Sequence, residues 1–316
     1  MAFSKILVPL FLLSFLASAA HGQLSPTFYS RTCPNLERIV NIMMFRAVRR
    51  EPRLGASILR LFFHDCFVNG CDASVLLDDT PTFTGEKNAG PNRNSLRGYE
   101  VIDAIKSQVE RVCRATVSCA DILALAARAG VVFHGGPKYV VPLGRRDART
   151  ASQFAANSNL PPASAGVNTL ISMFAAKGLS AQDMTALSGA HSIGFARCSS
   201  YRPHIYNDFS VDPAYAAARK QTCPAVGGDN NLGPLNIQNP NRFGNTFFQN
   251  LVARRALLHS DQALFSNGPT DALVQRYSTN NALFFNDFAA AMVKMGNISP
   301  LTGFNGEIRL NCRRTN

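Results

Sequence analysis

The sequence predicts a mainly α protein, and three observations support this fold class. Apolar residues recur at helical spacing along most of the 316-residue chain. Gly, Pro and Asn residues separate these periodic segments, and no internal repeat or low-complexity block occurs among them. Strand signals are few and short, and they cluster near residues 139–142. No linker is long enough to separate independent domains, so we expect one body with any active site between groups of helices.

Nine helices are predicted in chain order, and two of them begin with side chains suited to N-caps. Ser118 stands three residues before Asp121, and Ser180 three residues before Asp183, which places a hydroxyl beside the first helical turn. Prolines favour an extended conformation for residues 159–164, between two helices. The predicted helices are 36–50, 56–67, 101–112, 120–133, 169–177, 181–187, 242–253, 271–280 and 281–295.

The first 22 residues have the pattern of a secretory signal peptide. Lys5 gives a positive start, residues 6–16 form an apolar run, and small residues precede the expected cleavage before Gln23. The run is too short to span a bilayer comfortably, and no other stretch is long and apolar enough. We therefore expect removal of residues 1–22 and one secreted domain over residues 23–316, without a membrane anchor.

Cysteine content and charge narrow the class of protein. Eight cysteines in a secreted chain predict four disulfides, but their spacing leaves the pairing open, and only Cys66–Cys71 is suggested locally. The formal net charge is +12, yet no basic aromatic strip or nucleic-acid-binding motif accompanies it, which argues against nucleic acid as a partner. We favour attraction to an anionic extracellular polysaccharide as the explanation of this charge, and simple solubility is the alternative.

Residues 60–74, RLFFHDCFVNGCDAS, form the most informative segment. In a helix, Arg60 and His64 stand one turn apart on the same face, with Phe63 beside them. A base and a fixed cation in one pocket suit the cleavage of a polar bond that leaves negative charge behind. A His near an Arg is more often a structural residue, so this pair alone does not establish a catalytic site.

The same segment contains a candidate calcium loop. Asp65 points about 100° away from His64 on the helix and therefore has a different role. With Asp72 and Ser74 it resembles a loop of alternating side-chain oxygens, with backbone carbonyls between them. Such turns also occur without calcium, so the pattern is an expectation rather than an assignment.

A second His and a distant carboxylate indicate a cofactor. His191 lies near the end of an apolar helix, and Asp261 lies among apolar residues much later in the chain. A buried imidazole that binds metal commonly donates its other N–H to such a carboxylate. One His for proton transfer and one as an axial ligand would enclose a redox cofactor. Haem fits a single His ligand on an apolar wall.

Together these motifs resemble the plant secretory (class III) haem peroxidases over residues 23–316. The likeness implies the haem peroxidase fold, mainly α with few short strands, in which haem b lies between a distal and a proximal helical half. It also implies a secreted monomer of the cell wall or apoplast that reduces hydrogen peroxide to water and oxidises phenolic donors in two one-electron steps. The matching motifs are SILRLFFHDCFV at 57–68, GCDAS at 70–74, VSCADIL at 117–123, VPLGRRD at 141–147, ALSGAH at 186–191 and LHSDQ at 258–262.

The resemblance implies a role for each distal residue. His64 would be the acid–base that takes a proton from peroxide and returns it to the departing oxygen, and Arg60 would stabilise the negative charge that develops there. Asn92 would hydrogen-bond the other nitrogen of His64. Phe63 would form a wall of the pocket and contact the cofactor.

The resemblance also assigns the proximal residues, the substrate contact and the disulfides. His191 would ligate the iron, and Asp261 would accept its N–H and so increase electron donation toward the iron. Pro161 would contact the substrate at the haem edge. The implied disulfides are Cys33–Cys113, Cys66–Cys71, Cys119–Cys312 and Cys198–Cys223.

Two calcium sites are implied, and the sequence departs from the family at the proximal one. There Ser192 suits a hydroxyl ligand, but Asn236 and Gly244 stand where the family has carboxylates, and Asn239 replaces a Thr. Because amide oxygens alone bind calcium weakly, we expect this site to be weak or absent. The distal site is intact, with implied ligands Asp65, Val68, Gly70, Asp72 and Ser74 and, through water, Glu86.

Two other functions explain parts of the sequence. A secreted, calcium-stabilised polysaccharide-binding protein without catalysis accounts for the secretion, cysteines and charge, but it leaves the distal and proximal residues unexplained. A hydrolase would pair His64 with Asp65 or Ser74, but adjacent helical residues do not face one another, and no nucleophile elbow is present. A Soret band with turnover of a phenolic dye would distinguish the peroxidase from the binding protein.

Overall fold

The computed structural model describes residues 24–316, so the predicted signal peptide lies outside the described residues. This part of the chain contains thirteen α-helices, two short 3₁₀-helices and two strands, which confirms the mainly α prediction. The 3₁₀-helices are Ser74–Leu76 and Gly189–Ser192. The helices α1 to α13 are, in order, Leu36–Arg50, Arg53–Cys66, Tyr99–Val112, Cys119–Phe133, Gln153–Asn159, Val167–Ala175, Ala181–Ser188, Cys198–Asn207, Pro213–Lys220, Thr246–Val252, His259–Gln262, Asp271–Thr279 and Asn281–Gly296.

All nine predicted helices are present, and the two predicted N-caps form. The Ser118 hydroxyl accepts a hydrogen bond from the Asp121 N–H at 3.1 Å. Ser180 and Asp183 form a reciprocal capping box, in which each side chain accepts from the other residue's N–H. The caps fix the start of α4 and of α7, and α7 leads directly to His191.

The predicted strand at residues 139–142 is wrong. This segment is not part of any strand pairing among residues 24–316, and Pro142 has no N–H to donate to one. The two strands lie elsewhere: β1 is Phe195–Arg197 and β2 is Leu232–Pro234. They pair antiparallel, with Phe195 opposite Pro234, just after the turn that carries His191.

Four short helices were not predicted: α5, α8, α9 and α11. Helix α8 contains Pro203 in its interior, a position where a proline normally predicts a helix end. Conversely, the predicted helix at 242–253 is shortened to α10, and Phe243 lies outside it with its N–H donating to the His134 carbonyl at 2.8 Å. Helical periodicity alone predicts neither the helix that contains Pro203 nor the later start of α10.

Helices α2 and α4 cross at two glycines, and this crossing positions the distal residues. A Cβ on Gly130 would lie 2.9 Å from the Gly55 carbonyl oxygen, so the close approach requires glycine. The His134 ring closes the same crossing, with Nδ1 2.8 Å from the Gly130 carbonyl oxygen and Nε2 3.0 Å from that of Pro52. Helix α2 is therefore fixed against α4 near its start, and Arg60 and His64 lie further along it.

Disulfides and two hydrophobic clusters hold the remaining elements. The structure forms the four pairs that the resemblance implies, Cys33–Cys113, Cys66–Cys71, Cys119–Cys312 and Cys198–Cys223. A large core cluster draws residues from every α-helix except α8, α9 and α11, and a smaller cluster packs α8 and α9 against the chain before α11. None of the helices between residues 24 and 316 is long and apolar enough to cross a membrane.

Candidate active site

The distal imidazole is oriented by an amide. His64 is 4% exposed, and its Nδ1 lies 2.6 Å from Oδ1 of Asn92. The Asn92 amide donates through Nδ2 to the Glu86 carbonyl oxygen at 2.9 Å, which turns its own oxygen toward the ring. Because that oxygen only accepts, the proton of the neutral ring lies on Nδ1, and Nε2 is free to accept another.

Electrostatics keep this imidazole neutral. Burial and the adjacent Arg60 guanidinium lower the pKa of His64 well below its usual value, and the hydrogen bond to Asn92 opposes them only in part. A neutral ring is required of a base that accepts a proton at physiological pH. The pair of Arg60 and His64 therefore combines a fixed cation with an unprotonated base.

Arg60 is held by two contacts that the sequence did not reveal. Its Nη1 donates to the Ser95 hydroxyl at 3.2 Å, and its Nη2 donates to the Pro91 carbonyl oxygen at 3.0 Å. Burial lowers the pKa of Arg60 to about 10, so the guanidinium stays charged at neutral pH. Ser95 lies three residues after Asn92, and this proximity is the only sequence signal that could have identified it.

The Phe63 ring lies beside the His64 ring. Its ring centroid is 5.4 Å from that of His64 and 4.4 Å from that of Phe67, and it stacks on Phe174 at 6.3 Å. The aromatic contacts hold the Phe63 ring against the core, while its side chain stays only partly buried. Phe63 is thus available as an apolar wall for a bound group.

The candidate distal calcium loop contains buried oxygen atoms that lack partners. Within residues 24–316, the Ser74 hydroxyl and Oε2 of Glu86 are both buried without a hydrogen bond. Burial raises the pKa of Asp65 well above its usual value, and the nearby Asp72 carboxylate raises it further. Burial also raises the pKa of Glu86 to about 7. Uncompensated carboxylates and a free hydroxyl form the hard oxygen donor set that calcium prefers.

The two backbone carbonyl oxygens expected to bind calcium in this loop already accept hydrogen bonds. The Val68 carbonyl oxygen accepts from the Asn159 amide and from the Lys177 ammonium, both at 3.0 Å. The Gly70 carbonyl oxygen accepts from the Asp72 N–H at 2.9 Å. The side-chain donors therefore fit calcium directly, whereas Val68 reaches an ion only if one of its two donors moves aside.

The calcium loop and the distal base are physically connected at two points. Asp65 directly follows His64 in α2, and its carboxylate accepts from the Ala73 N–H at 2.9 Å. On the other side, Glu86 contributes its carboxylate to the loop and its carbonyl oxygen to Asn92. Ordering of this loop is thus expected to fix both the imidazole and the amide that orients it.

The proximal side repeats the pairing of an imidazole with an acceptor. His191 lies in the 3₁₀-helix after α7, and its Nδ1 is 2.8 Å from Oδ1 of the buried Asp261 in α11. Burial lowers the pKa of His191, but the Asp261 carboxylate outweighs it and raises the pKa above the usual value. The Arg60 guanidinium lowers the pKa of both His64 and His191.

The distal and proximal residues together fit a haem group. The side chain of His191 is 36% exposed, and Arg60 and Phe63 are also only partly buried. With Nδ1 engaged by Asp261, His191 offers only Nε2 to a metal. An imidazole ligand backed by a carboxylate, together with a partly buried aromatic side chain, suits a haem site.

The predicted proximal calcium loop is filled by an amide network. Asn236 is 1% exposed, and its Nδ2 donates to the Ser192 carbonyl oxygen at 3.2 Å. Its Oδ1 accepts from the Gln238 N–H at 3.2 Å and from the Asn250 amide at 3.3 Å. The Gly244 N–H lies 3.4 Å from the Ser192 hydroxyl oxygen. Both oxygens of Ser192 therefore face N–H donors.

Pro161 is half-buried in the segment between α5 and α6. The predicted extended conformation of residues 159–164 holds only in part, because Asn159 ends α5 and Ala163 and Ser164 lie in a turn. This segment is attached to α11, because the Ser260 N–H donates to the Ala163 carbonyl oxygen at 2.9 Å. The attachment brings the segment near Asp261. Contact between Pro161 and a substrate stays a prediction.

Comparisons with known proteins agree with this geometry. A family model described as Peroxidase matches residues 40–280. Peroxidase P7 of Brassica rapa subsp. rapa is 58% identical over 93% of this chain and 100% of its own length. Peroxidase 4 of Vitis vinifera is 54% identical over 100% of this chain and 99% of its own. Peroxidase 67 of Arabidopsis thaliana is 54% identical over 98% and 99%. This chain is therefore a haem peroxidase and belongs to the plant class III peroxidase family.

Proposed function

We propose that this peroxidase reduces hydrogen peroxide at the distal residues and oxidises small phenolic donors at an exposed edge of the bound haem. The observation that carries the proposal is the pair of oriented imidazoles: His64 against Asn92 at 2.6 Å, and His191 against Asp261 at 2.8 Å. In each pair Nδ1 is engaged by the acceptor and Nε2 is left available. Overall, one peroxide and two donors yield two waters and two donor radicals.

The distal residues manage the proton and the charge. Nε2 of His64 accepts the proton of the peroxide oxygen that will stay behind and returns it to the departing oxygen, which leaves as water. The Arg60 guanidinium, fixed by Ser95 and Pro91, stabilises the negative charge that grows on that departing oxygen. A positioned acid–base of this kind contributes roughly 10²- to 10⁴-fold in rate.

The proximal residues set the metal ligand. Bound haem supplies the electrons that cleave the O–O bond. Asp261 holds Nδ1–H of His191, which fixes the ring orientation and increases the basicity of Nε2. A more basic ligand donates more strongly to the iron, which favours O–O cleavage over simple peroxide binding.

The buried donors of Asp65, Asp72, Ser74 and Glu86 support one distal calcium ion, and the amide network around Asn236 supports a weak or absent proximal one. We propose a secreted, extracellular monomer, consistent with the family's secretory character. Its charge of +12 supports attraction to anionic cell-wall polysaccharide.

A pair of matched arginine variants tests the proposed function. In stopped-flow mixing with peroxide, Arg60→Leu is expected to lower the second-order rate constant by about 100-fold or more, as loss of a charge-stabilising group does. Arg46→Leu removes the same charge from an exposed position on α1 and is expected to leave the rate unchanged. Soret absorbance verifies haem in both. Equal rates for the two variants would contradict the role given to Arg60.

A further inference from the structure

A second group of metal-ligating side chains lies outside the active site, where the end of α8 meets the start of α11. The three residues are His204, Asp208 and His259, and their ligand atoms lie within 4.8 Å of one another. Oδ2 of Asp208 is 2.5 Å from Nδ1 of His204 and 2.6 Å from Nδ1 of His259. Among residues 24–316 this is the one such cluster of His, Cys, Asp and Glu.

We propose that His204, Asp208 and His259 bind one divalent transition-metal ion of the zinc type, with water as a fourth ligand. Two imidazoles and one carboxylate around an open position are a ligand set used by zinc. The imidazole nitrogens disfavour calcium and magnesium, which prefer oxygen ligands. The proposed ion is therefore different in kind from the calcium of the distal loop.

The ligands are positioned by packing that does not depend on an ion. His204 and Asp208 are four residues apart at the end of α8, which puts them on one face of the helix. His259 begins α11 and follows directly on two buried leucines. One hydrophobic cluster contains both elements, through Tyr201 and Ile205 of α8 and through Leu257 and Leu258 before α11.

The cluster is closed by protein on one side and open to solvent on the other. The side chain of His204 is 1% exposed, whereas those of Asp208 and His259 are 26% and 40% exposed. An ion can therefore enter without unfolding, and a water molecule can complete its coordination. Burial raises the pKa of Asp208, but the hydrogen bonds from the two imidazoles outweigh it and lower the pKa, so the carboxylate is ionised at neutral pH.

Zinc binding requires a small change in the distances between Asp208 and the two imidazoles. A tetrahedral zinc ion with ligand bonds of about 2.0–2.1 Å separates its ligand atoms by about 3.4 Å. The present separations of 2.5 and 2.6 Å suit hydrogen bonds, so the ligand atoms must move apart by somewhat less than 1 Å. Asp208 and His259 are exposed enough to rotate, while the buried His204 stays in place.

The surroundings also set the expected affinity. Nε2 of His204 is buried and has no hydrogen-bond partner in the described part of the chain. A hydrogen bond from the second nitrogen of a metal-binding imidazole to a protein acceptor typically strengthens metal binding by about 10- to 100-fold. Because His204 lacks one, we expect micromolar rather than nanomolar binding of zinc.

The test is calorimetric titration of the calcium-saturated holoenzyme with zinc chloride. We expect about one zinc ion per chain, with binding unaffected by excess calcium. His259→Gln and Asp208→Asn are each expected to weaken binding by about 100-fold or more, because losing a ligand costs more than losing an outer partner. Asp229→Asn is the matched control, since it removes an exposed carboxylate that pairs with Arg202 of the same helix.

Two results would overturn the proposal. Binding of less than about a fifth of one zinc ion per chain at 100 μM would show that Asp208 only accepts hydrogen bonds. Equal zinc affinity in His259→Gln and Asp229→Asn would place the ion elsewhere. Circular dichroism and the Soret band confirm that each variant is folded, and X-ray absorption at the zinc edge distinguishes nitrogen-containing coordination from an all-oxygen site.

Discussion

Restoring two carboxylates should convert the proximal loop into a calcium site. Asn236→Asp together with Gly244→Asp supplies the anionic oxygens that calcium requires. Gly244 accepts the change sterically, because the nearest atom to an added Cβ is Oδ1 of Asn281 at 3.6 Å, an ordinary contact. The single variant Asn236→Asp separates the cost of the carboxylate from the gain due to calcium.

The magnitude of the cost follows from the contacts of Asn236. In the variant, an oxygen replaces the Nδ2 that now donates to the Ser192 carbonyl at 3.2 Å, so two acceptors face each other. Leaving a buried group unsatisfied costs about 1–3 kcal/mol, and a buried unpaired charge costs about 3–5 kcal/mol. The N–H groups of Gln238 and Asn250 still reach the other oxygen and offset part of this. We expect a net loss of about 2–4 kcal/mol without calcium.

Calcium should reverse most of this loss. At a hundredfold excess over Kd, binding to the native state adds about 2.7 kcal/mol. At about 2–4 °C per kcal/mol, the single variant should melt roughly 5–15 °C lower than the natural protein in EGTA. The double variant should show a larger rise in Tm on adding calcium than the natural protein, whose rise reports the distal site alone.

The assay is thermal unfolding of the holoenzymes in EGTA and in calcium, with calcium and iron counted by elemental mass spectrometry. We expect about one calcium per iron in the natural protein and about two in the double variant. Asn241→Asp makes the same chemical change at an exposed position of the same loop and should leave Tm unchanged. Two calcium ions in the natural protein, or an unaltered Tm for Asn236→Asp in EGTA, would refute the reasoning.

Three further variants test the distal architecture. Asn92→Ala removes the acceptor at Nδ1 of His64 and should lower the stopped-flow rate constant with peroxide by about 100-fold, at the low end of what a positioned acid–base contributes. Ser95→Ala leaves Arg60 only its contact to Pro91 and should lower the same constant about 3- to 10-fold, as one hydrogen bond of 0.5–1.5 kcal/mol would. Gly130→Ala should lower Tm by roughly 3–10 °C, because overpacking costs about 1–3 kcal/mol. Gly268→Ala, whose nearest contact would be 3.6 Å, should leave Tm unaltered. An unchanged rate or Tm in any of the first three variants would contradict the corresponding contact.

The sequence predicted the parts of this protein that depend on short spacing. Helical periodicity located nine of the thirteen helices between residues 24 and 316. It also placed Arg60 and His64 one turn apart, because residues four positions apart on an α-helix lie next to each other on the same face. The pair His64–Asn92 followed only from the family resemblance, since nothing local links residues 28 positions apart. For His191 and Asp261, 70 positions apart, the chemistry of metal-binding imidazoles suggested a pair, and the resemblance assigned it.

The contacts that sequence reasoning missed depend on how loops return to the core. Ser95 supports Arg60 only because the loop after Glu86 folds back over α2. The strand signal at 139–142 was β-branched and therefore compatible with an extended chain, but an extended segment becomes a strand only when a neighbour pairs with it. Pro203 lies inside α8, although proline rules predict a helix end there.

Calcium chelation should therefore affect the two sides of the active site unequally. The distal loop is tied to His64 through Asp65 and through the contact of Glu86 with Asn92, so removing its ion should loosen the base and slow the reaction with peroxide. His191 is held by Asp261, and the next residue along the chain, Ser192, is held by amides.

This asymmetry has a spectroscopic consequence. Because the proximal side is held without a metal, the iron–His191 stretching frequency in the resonance Raman spectrum of the ferrous enzyme should stay constant on adding EGTA, while the stopped-flow rate falls. Readdition of calcium should restore the rate and leave the frequency unaltered. A frequency that shifts with EGTA in step with the rate would mean that a proximal ion, rather than the Asn236 network, positions His191.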